Sequence, residues 1–314
     1  MKVSVIIPLY NKSATIERTI ASVRAQSFRD FELIVVDDGS TDGSASKVTG
    51  ADVRLIRQPN AGPGAARNRG VREARGAYLA FLDADDEWLP GYLEKSVQLL
   101  DAQPAEVASV TSGYYEWPSQ MSREAYWRAR GLSDGIHRLT AASDPAQAIA
   151  MLAYMSPWST VVRADIVRRY GGFYERDRCL YAEDAFLWLK VLLNHPVVFN
   201  MKPLVRFHVE ASELSANLKG ARPVEPFLEH PQEIEAACPA HLRALLGRVL
   251  AIRAQKTACV LGYWGQWQRA RAIAQRFRVP GAWRLPYFWP AQVCSTPVGG
   301  WMGRSWRRLR RGAA

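Results

Sequence analysis

Three carboxylates crowd into four residues at Asp83-Ala84-Asp85-Asp86, directly after the apolar run 78–82. Such a run reads as a buried strand, and like charges packed at its end repel one another. A divalent cation taking oxygen ligands from them would offset that repulsion. An acidic turn capping the helix that begins near Trp88 accounts for the same residues, because Asp is a good N-cap. Three further polar clusters also follow apolar runs: Pro8-Leu9-Tyr10-Asn11, Asp37-Asp38-Gly39-Ser40 and Asn60-Ala61-Gly62-Pro63-Gly64-Ala65-Ala66-Arg67-Asn68. Each alone has an ordinary explanation: packing for Tyr10, capping for Asp38, loop punctuation for the glycines. Four such clusters at successive strand ends call for a common one.

The elements that must position them alternate. Residues 3–7, 31–36, 53–56 and 78–82 read as strands, while Ile16, Ile20 and Val23 recur at helical spacing and residues 63–74 are helix-compatible. This alternation predicts an α/β fold, a mostly parallel sheet with helices on both faces. Parallel strands end on one side, so the clusters converge on the edge where open α/β sheets keep their ligands. Residues 113–139, rich in aromatics and turn formers, read as an insertion or lid. Residues 164–170 and 183–193 read as helices, and 197–200 as a further strand.

The 314 residues are 48% hydrophobic, enough for a sizeable core, and the net charge of +11 is unevenly spread. Residues 1–215 carry 25 Lys and Arg against 26 Asp and Glu, while residues 216–314 carry 16 against 4, with no acidic residue beyond Glu235. The near-neutral first part argues against nucleic acid as the main ligand. We expect the division at that point: a catalytic domain over 1–215 and a basic, mostly helical region over 216–314. There Leu242, Leu245, Leu246, Val249 and Leu250 form an apolar stripe, and 263–277 reads as its partner helix. The tail sets Trp283, Trp289, Trp301 and Trp306 beside five arginines between Arg304 and Arg311. Such a tail suits an anionic membrane surface, and equally a helical cap with a solvated basic end. Four dispersed cysteines without a CxxC pair argue against a zinc site or disulfide scaffold and fit a reducing cytoplasm. The start runs straight into a strand, unlike a secretory leader. The uncharged window 285–303 is broken by Pro286, Pro290 and Pro297, against a regular transmembrane helix.

Together with residues 156–165, Gly171-Gly172-Phe173-Tyr174-Glu175 and Tyr181-Ala182-Glu183-Asp184, these motifs resemble the family 2 glycosyltransferases. The resemblance covers roughly residues 1–215 and implies the GT-A (Rossmann-like) fold. It implies inverting transfer of a sugar from a UDP-sugar to a hydroxyl of a saccharide or lipid-linked saccharide, as in cell-surface polysaccharide assembly. Pro8, Tyr10 and Asn11 would line the base pocket, and Asp38 would accept a hydrogen bond from the uracil imide. Gly62 and Arg67 would approach base and ribose, and Asp83 would contact the ribose. Asp85 would bind a Mn²⁺ or Mg²⁺ ion held by the diphosphate. His208 is a second metal candidate, although a histidine on an apolar strand is often structural.

The chemistry of the residues agrees with that implication. A departing UDP gathers negative charge that a divalent ion neutralises. The acceptor hydroxyl must lose a proton, and Asp184 is the natural base. Glu183, its neighbour, cannot point the same way on a helix and would orient the acceptor. A first-turn acidic pair favoured by the helix dipole is the ordinary reading of both. Trp158 suits an acceptor wall or the core. Transfer to polyprenyl phosphate is an alternative that needs no strong base. A catalytically silent nucleotide-sugar-binding protein is another, against which the intact Asp38, Asp83, Asp85 and Asp184 count.

Overall fold

A computed structural model of the chain describes residues 1–211, 222–302 and 305. Two compact units emerge: Met1–Leu139 with Ala150–Ala216, and Thr140–Ile149 with Asn217–Ala314. The boundary expected at 215 falls outside the described residues, as do Arg304, Trp306 and the arginines after it.

The first unit is built on one mixed sheet. Its first four strands are β1 (Val3–Leu9), β2 (Phe31–Asp37), β3 (Val53–Arg57) and β4 (Tyr78–Phe81). There follow β5 (Glu87–Trp88), β6 (Ser109–Trp117), β7 (Met121–Ser122), β8 (Gly135–His137), β9 (Thr160–Arg163) and β10 (Val197–His208). The order is β3-β2-β1-β4-β9-β6-β10-β5, with β7 on β6 and β8 on β10. β1 pairs in parallel with β2 and β4, and β2 with β3. β6 and β10 are also parallel, but β9 runs antiparallel between β4 and β6. Helix α1 (Ile16–Arg24) buries Ile16, Thr19, Ile20 and Val23, a 3-4-7 spacing that presents one face to the sheet. Helices α2 (Pro63–Glu73) and α3 (Glu183–Asn194) supply site residues.

Two expectations change. Residues 113–117, expected within an insertion, are the second half of β6; only 118–139 leaves the sheet, returning through β7 and β8. The first half of β6 hid itself because Ser109, Thr111 and Ser112 are buried polar residues, with Thr111 and Thr160 hydroxyls 2.9 Å apart across the β6–β9 pair. The strand expected over 197–200 continues to His208, through a register irregularity between Asn200 and Val205 that contains Pro203.

In the second unit α4 (Arg243–Tyr263) packs against α5 (Trp267–Arg276) and α6 (Phe288–Cys294). Tyr263 closes α4, so the partner helix begins later than 263. Buried Glu225 accepts hydrogen bonds from Arg253 Nη2 at 2.6 Å and Thr257 Oγ1 at 2.7 Å, fastening the preceding segment to α4. Among the described residues no helix is long and apolar enough to cross a membrane.

Candidate active site

Strand register brings the clusters together. Leu9 pairs with Asp37, Asp37 with Arg57, and Ile6 with Phe81, so the segments after β1, β2, β3 and β4 emerge on one edge. β9 enters antiparallel, which puts residues 156–159 on the same edge as the end of β4.

The β1 and β2 loops are laced to each other. Asn11, at φ 49°, donates its backbone N–H to Ser40 Oγ (3.1 Å) and accepts from Thr41 N at Oδ1 (2.8 Å). Tyr10 beside it is 49% exposed, which leaves its ring open to a planar ligand, and Pro8 is half-buried. Asp38 is buried and holds the next loop: Oδ1 accepts from Gln58 Nε2 (2.8 Å) and Ala61 N (2.9 Å), and Oδ2 from Gly62 N (2.8 Å). Gly62 has φ 94°, a conformation that favours glycine, so the tie and the residue type are linked. Three donors leave a carboxylate with room for about one more.

Arg67 is the hub. Its guanidinium, 4% exposed, donates from Nη2 to Asp83 Oδ1 and from Nη1 to Glu183 Oε1, each at 2.7 Å. Burial opposes its charge, but Asp83 and Glu183 hold its pKa above the ordinary value. Arg67 thus joins the end of β4 to the start of α3, and is engaged with protein carboxylates rather than presented to a ribose. Asn68 works alongside it, donating from Nδ2 to Phe173 O and Glu175 Oε2 and accepting from Phe173 N, all at 2.8 Å.

Glu183 and Asp184 are therefore unequal. Both ion pairs of Arg67 go to Asp83 and Glu183, and neither goes to Asp184. Burial and the Glu183 charge raise the Asp184 carboxyl to about 7, against the pull of Arg67. Ala182, just before α3, sits at φ 56°, a left-handed conformation costly for a residue with a Cβ.

Asp85 pairs with Lys12 Nζ at 2.8 Å, a contact the sequence did not announce beyond Lys12 following Asn11. Burial and Asp83 push the Asp85 pKa up, which makes a cation welcome there. Hard oxygen donors from one or two carboxylates fit Mg²⁺ or Mn²⁺ bound jointly with phosphate and water. The Lys12 ammonium already occupies the cationic position. Among the described residues no three His, Cys, Asp or Glu side chains gather into a closed metal site. His208 is not presented as a ligand. It is 1% exposed, and its Nε2 and Nδ1 lie 2.7 Å and 2.9 Å from carboxylate oxygens of Glu87 and Glu210. Its backbone N–H donates to buried Asp86 at 2.8 Å. Trp158 belongs to the core, stacked on Phe207 at 5.1 Å.

Comparison with known proteins follows the same outline. Residues 4–154 match the profile of Glycosyl transferase family 2, a span that takes in all four edge clusters. The chain is 39% identical over 130 residues to the succinoglycan biosynthesis protein ExoW of Rhizobium meliloti, covering 37% of this chain and 41% of that one. The match thus spans well under two thirds of that curated relative. Uncharacterized protein MT1568 of Mycobacterium tuberculosis is 30% identical over 227 residues, 67% of this chain and 68% of its own. S. aureus TarS 1-349, solved in complex with UDP, superposes with a TM-score of 0.65 at 20% identity, over 98% of this chain and 92% of that one, and so shares the fold. Matched through its site-bearing edge and aligned with one relative over two thirds of both chains, the protein belongs to glycosyl transferase family 2.

Proposed function

We propose that residues 1–215 form an inverting glycosyltransferase domain that moves a sugar from a UDP-sugar to a hydroxyl of a saccharide or lipid-linked saccharide. The observation that carries this reading is the split between adjacent carboxylates: Glu183 locked on Arg67, Asp184 outside that ion pair and raised to about 7. A base poised near the working pH is suited to take the proton of an attacking hydroxyl. The acceptor oxygen forms a bond to the anomeric carbon while the bond from that carbon to the UDP β-phosphate oxygen breaks. UDP leaves with the electron pair, the acceptor proton passes to Asp184, and a single displacement inverts the centre. A Mn²⁺ or Mg²⁺ ion, when bound at Asp85 with Asp83 close by, supplies charge neutralisation for the diphosphate. Tyr10, Pro8 and Asn11 stack and border the base, Asp38 shapes the Asn60–Gly62 wall and offers its remaining acceptor position to an imide N–H. Arg67 fixes Asp83 and Glu183, and so sets the spacing between the ribose and the acceptor.

The UDP complex of the TarS neighbour supports a uridine donor, and the name of ExoW supports a role in polysaccharide assembly, on the cytoplasmic side where nucleotide sugars are made. The test is release of UDP from a panel of UDP-sugars with Mn²⁺, with saccharide, lipid-linked saccharide and polyprenyl phosphate as acceptors. Turnover with a UDP-sugar and a hydroxyl acceptor, lost in Asp184→Asn, is expected. Turnover with polyprenyl phosphate that survives Asp184→Asn would replace the hydroxyl reading. Absence of turnover with every UDP-sugar would overturn the donor assignment.

A further inference from the structure

We propose that residues 283–302 seat this protein in the headgroup layer of an anionic lipid membrane. Trp283, Trp289 and Trp301 are 55%, 66% and 61% exposed, and Tyr287, Val293 and Val298 are exposed beside them in sequence. Three indoles at that exposure leave roughly 300–450 Å² of aromatic surface in water within one twenty-residue stretch.

The packing of this segment is inverted relative to a water-facing helix pair. Its inward side is made of small residues. Ala291 is fully buried. A Cβ on Gly299 would come 2.0 Å from Val293 O, and one on Gly300 would come 3.1 Å from the Trp267 ring. On the facing helix α4, a Cβ on Gly262 would come 2.4 Å from Cys294 O. Close backbone approach therefore uses up the glycines and alanine, and the large apolar side chains are left outside. An amphipathic helix on a soluble protein does the reverse.

Charge decides the occupant. No Asp or Glu follows Glu235, so the positive charge of this stretch of sequence, Arg284 included, is not balanced within it. Arg284 lies over the Trp283 ring at 4.6 Å, a cation at the rim of an aromatic body. Tryptophan favours the headgroup level and basic residues favour anionic lipid. A second copy would bring the same positive charge to the contact and be repelled. With no crossing helix among the described residues, the segment lies on the surface rather than through it. The arginine tail lies outside the described residues, and the aromatic anchor does not require it.

The test is sedimentation of the 314-residue chain with vesicles of phosphatidylcholine, with and without phosphatidylglycerol. The expected result is binding to the anionic vesicles, weakening by more than about tenfold when Trp283, Trp289 and Trp301 are all changed to Ser. Binding should be retained when all three become Phe or when residues 303–314 are removed. Trp emission of the unaltered chain should be quenched by lipids brominated near the headgroup, a readout that does not depend on how the serine variant folds. Unchanged binding of a folded serine variant, loss of binding on tail removal alone, or unquenched Trp emission on bound vesicles would each overturn the anchor. So would concentration-dependent dimers without vesicle binding, which would assign the surface to a second copy.

Discussion

Arg67 gives two neighbouring carboxylates different surroundings. By binding Glu183 it leaves Asp184 as the group able to gain and lose a proton near neutrality. Asp184→Asn should lower transfer by ~10²–10⁴-fold while UDP-sugar affinity, read by calorimetry, survives. If Asp184 is the base, the transfer rate of the unaltered protein should rise with pH through about 7 and then level off, because only the deprotonated carboxylate can take the proton. The same shift acts on stability. The folded-state pKa lies above the usual carboxylate value, so the contribution of Asp184 is fully present below the unfolded pKa and is lost as pH rises through about 7. Asp184→Asn should accordingly stabilise the fold at pH 8, by roughly 1–2 kcal/mol after solvent screening, and hardly at pH 4. Arg67→Met is the opposite case: it strands Asp83 and Glu183 without their partner and should cost about 3–5 kcal/mol in denaturant unfolding. Residue types at the site were legible in the sequence, but their partners were not. Arg67 and Glu183 are 116 positions apart, and Lys12 and Asp85 meet only because β1 and β4 are neighbours.

At the scale of elements, α2 reaches the site by backbone approach. A Cβ on Gly64 would come 2.1 Å from Tyr174 O, and one on Gly172 would come 2.2 Å from Asn68 Oδ1. Gly64→Ala should therefore push α2 away from the 172–175 turn and cost about 1–3 kcal/mol, read as a lowered Tm. Loss of nucleotide affinity should accompany it, since Arg67 and Asn68 move with the helix. β1, β2 and β4 were readable because buried parallel strands carry near-continuous apolar runs, and the half-exposed edge strand β3 by its Val53, Leu55 and Ile56. β6 and β9 were harder to read: β6 opens with buried hydroxyl-bearing residues among its apolar ones, β9 is four residues long, and the Thr111 and Thr160 hydroxyls meet across the pair. β10 was read over 197–200 alone, whereas the strand runs on to His208 through an irregularity that contains Pro203.

At the scale of the molecule, charge separates along the chain: a balanced sheet unit with an acidic cluster at its edge, then a stretch without a single acid after Glu235. If a divalent ion completes the acidic edge, UDP release should stop in EDTA and return with Mn²⁺. Asp85→Ala should stay inactive in both conditions, with Mn²⁺ affinity in the presence of UDP, measured by electron paramagnetic resonance, reduced in parallel.

β9 has a consequence for how this protein comes into being. During synthesis the strands β1 to β4 can assemble as soon as they emerge, but one side of β4 has no neighbour until residues 160–163 appear. For the length of the intervening chain, that row of unpaired amide and carbonyl groups is an open invitation to another strand. A fragment ending at residue 154, which contains the whole family match, would keep that row open for good and should aggregate, whereas one extended past β9 closes it.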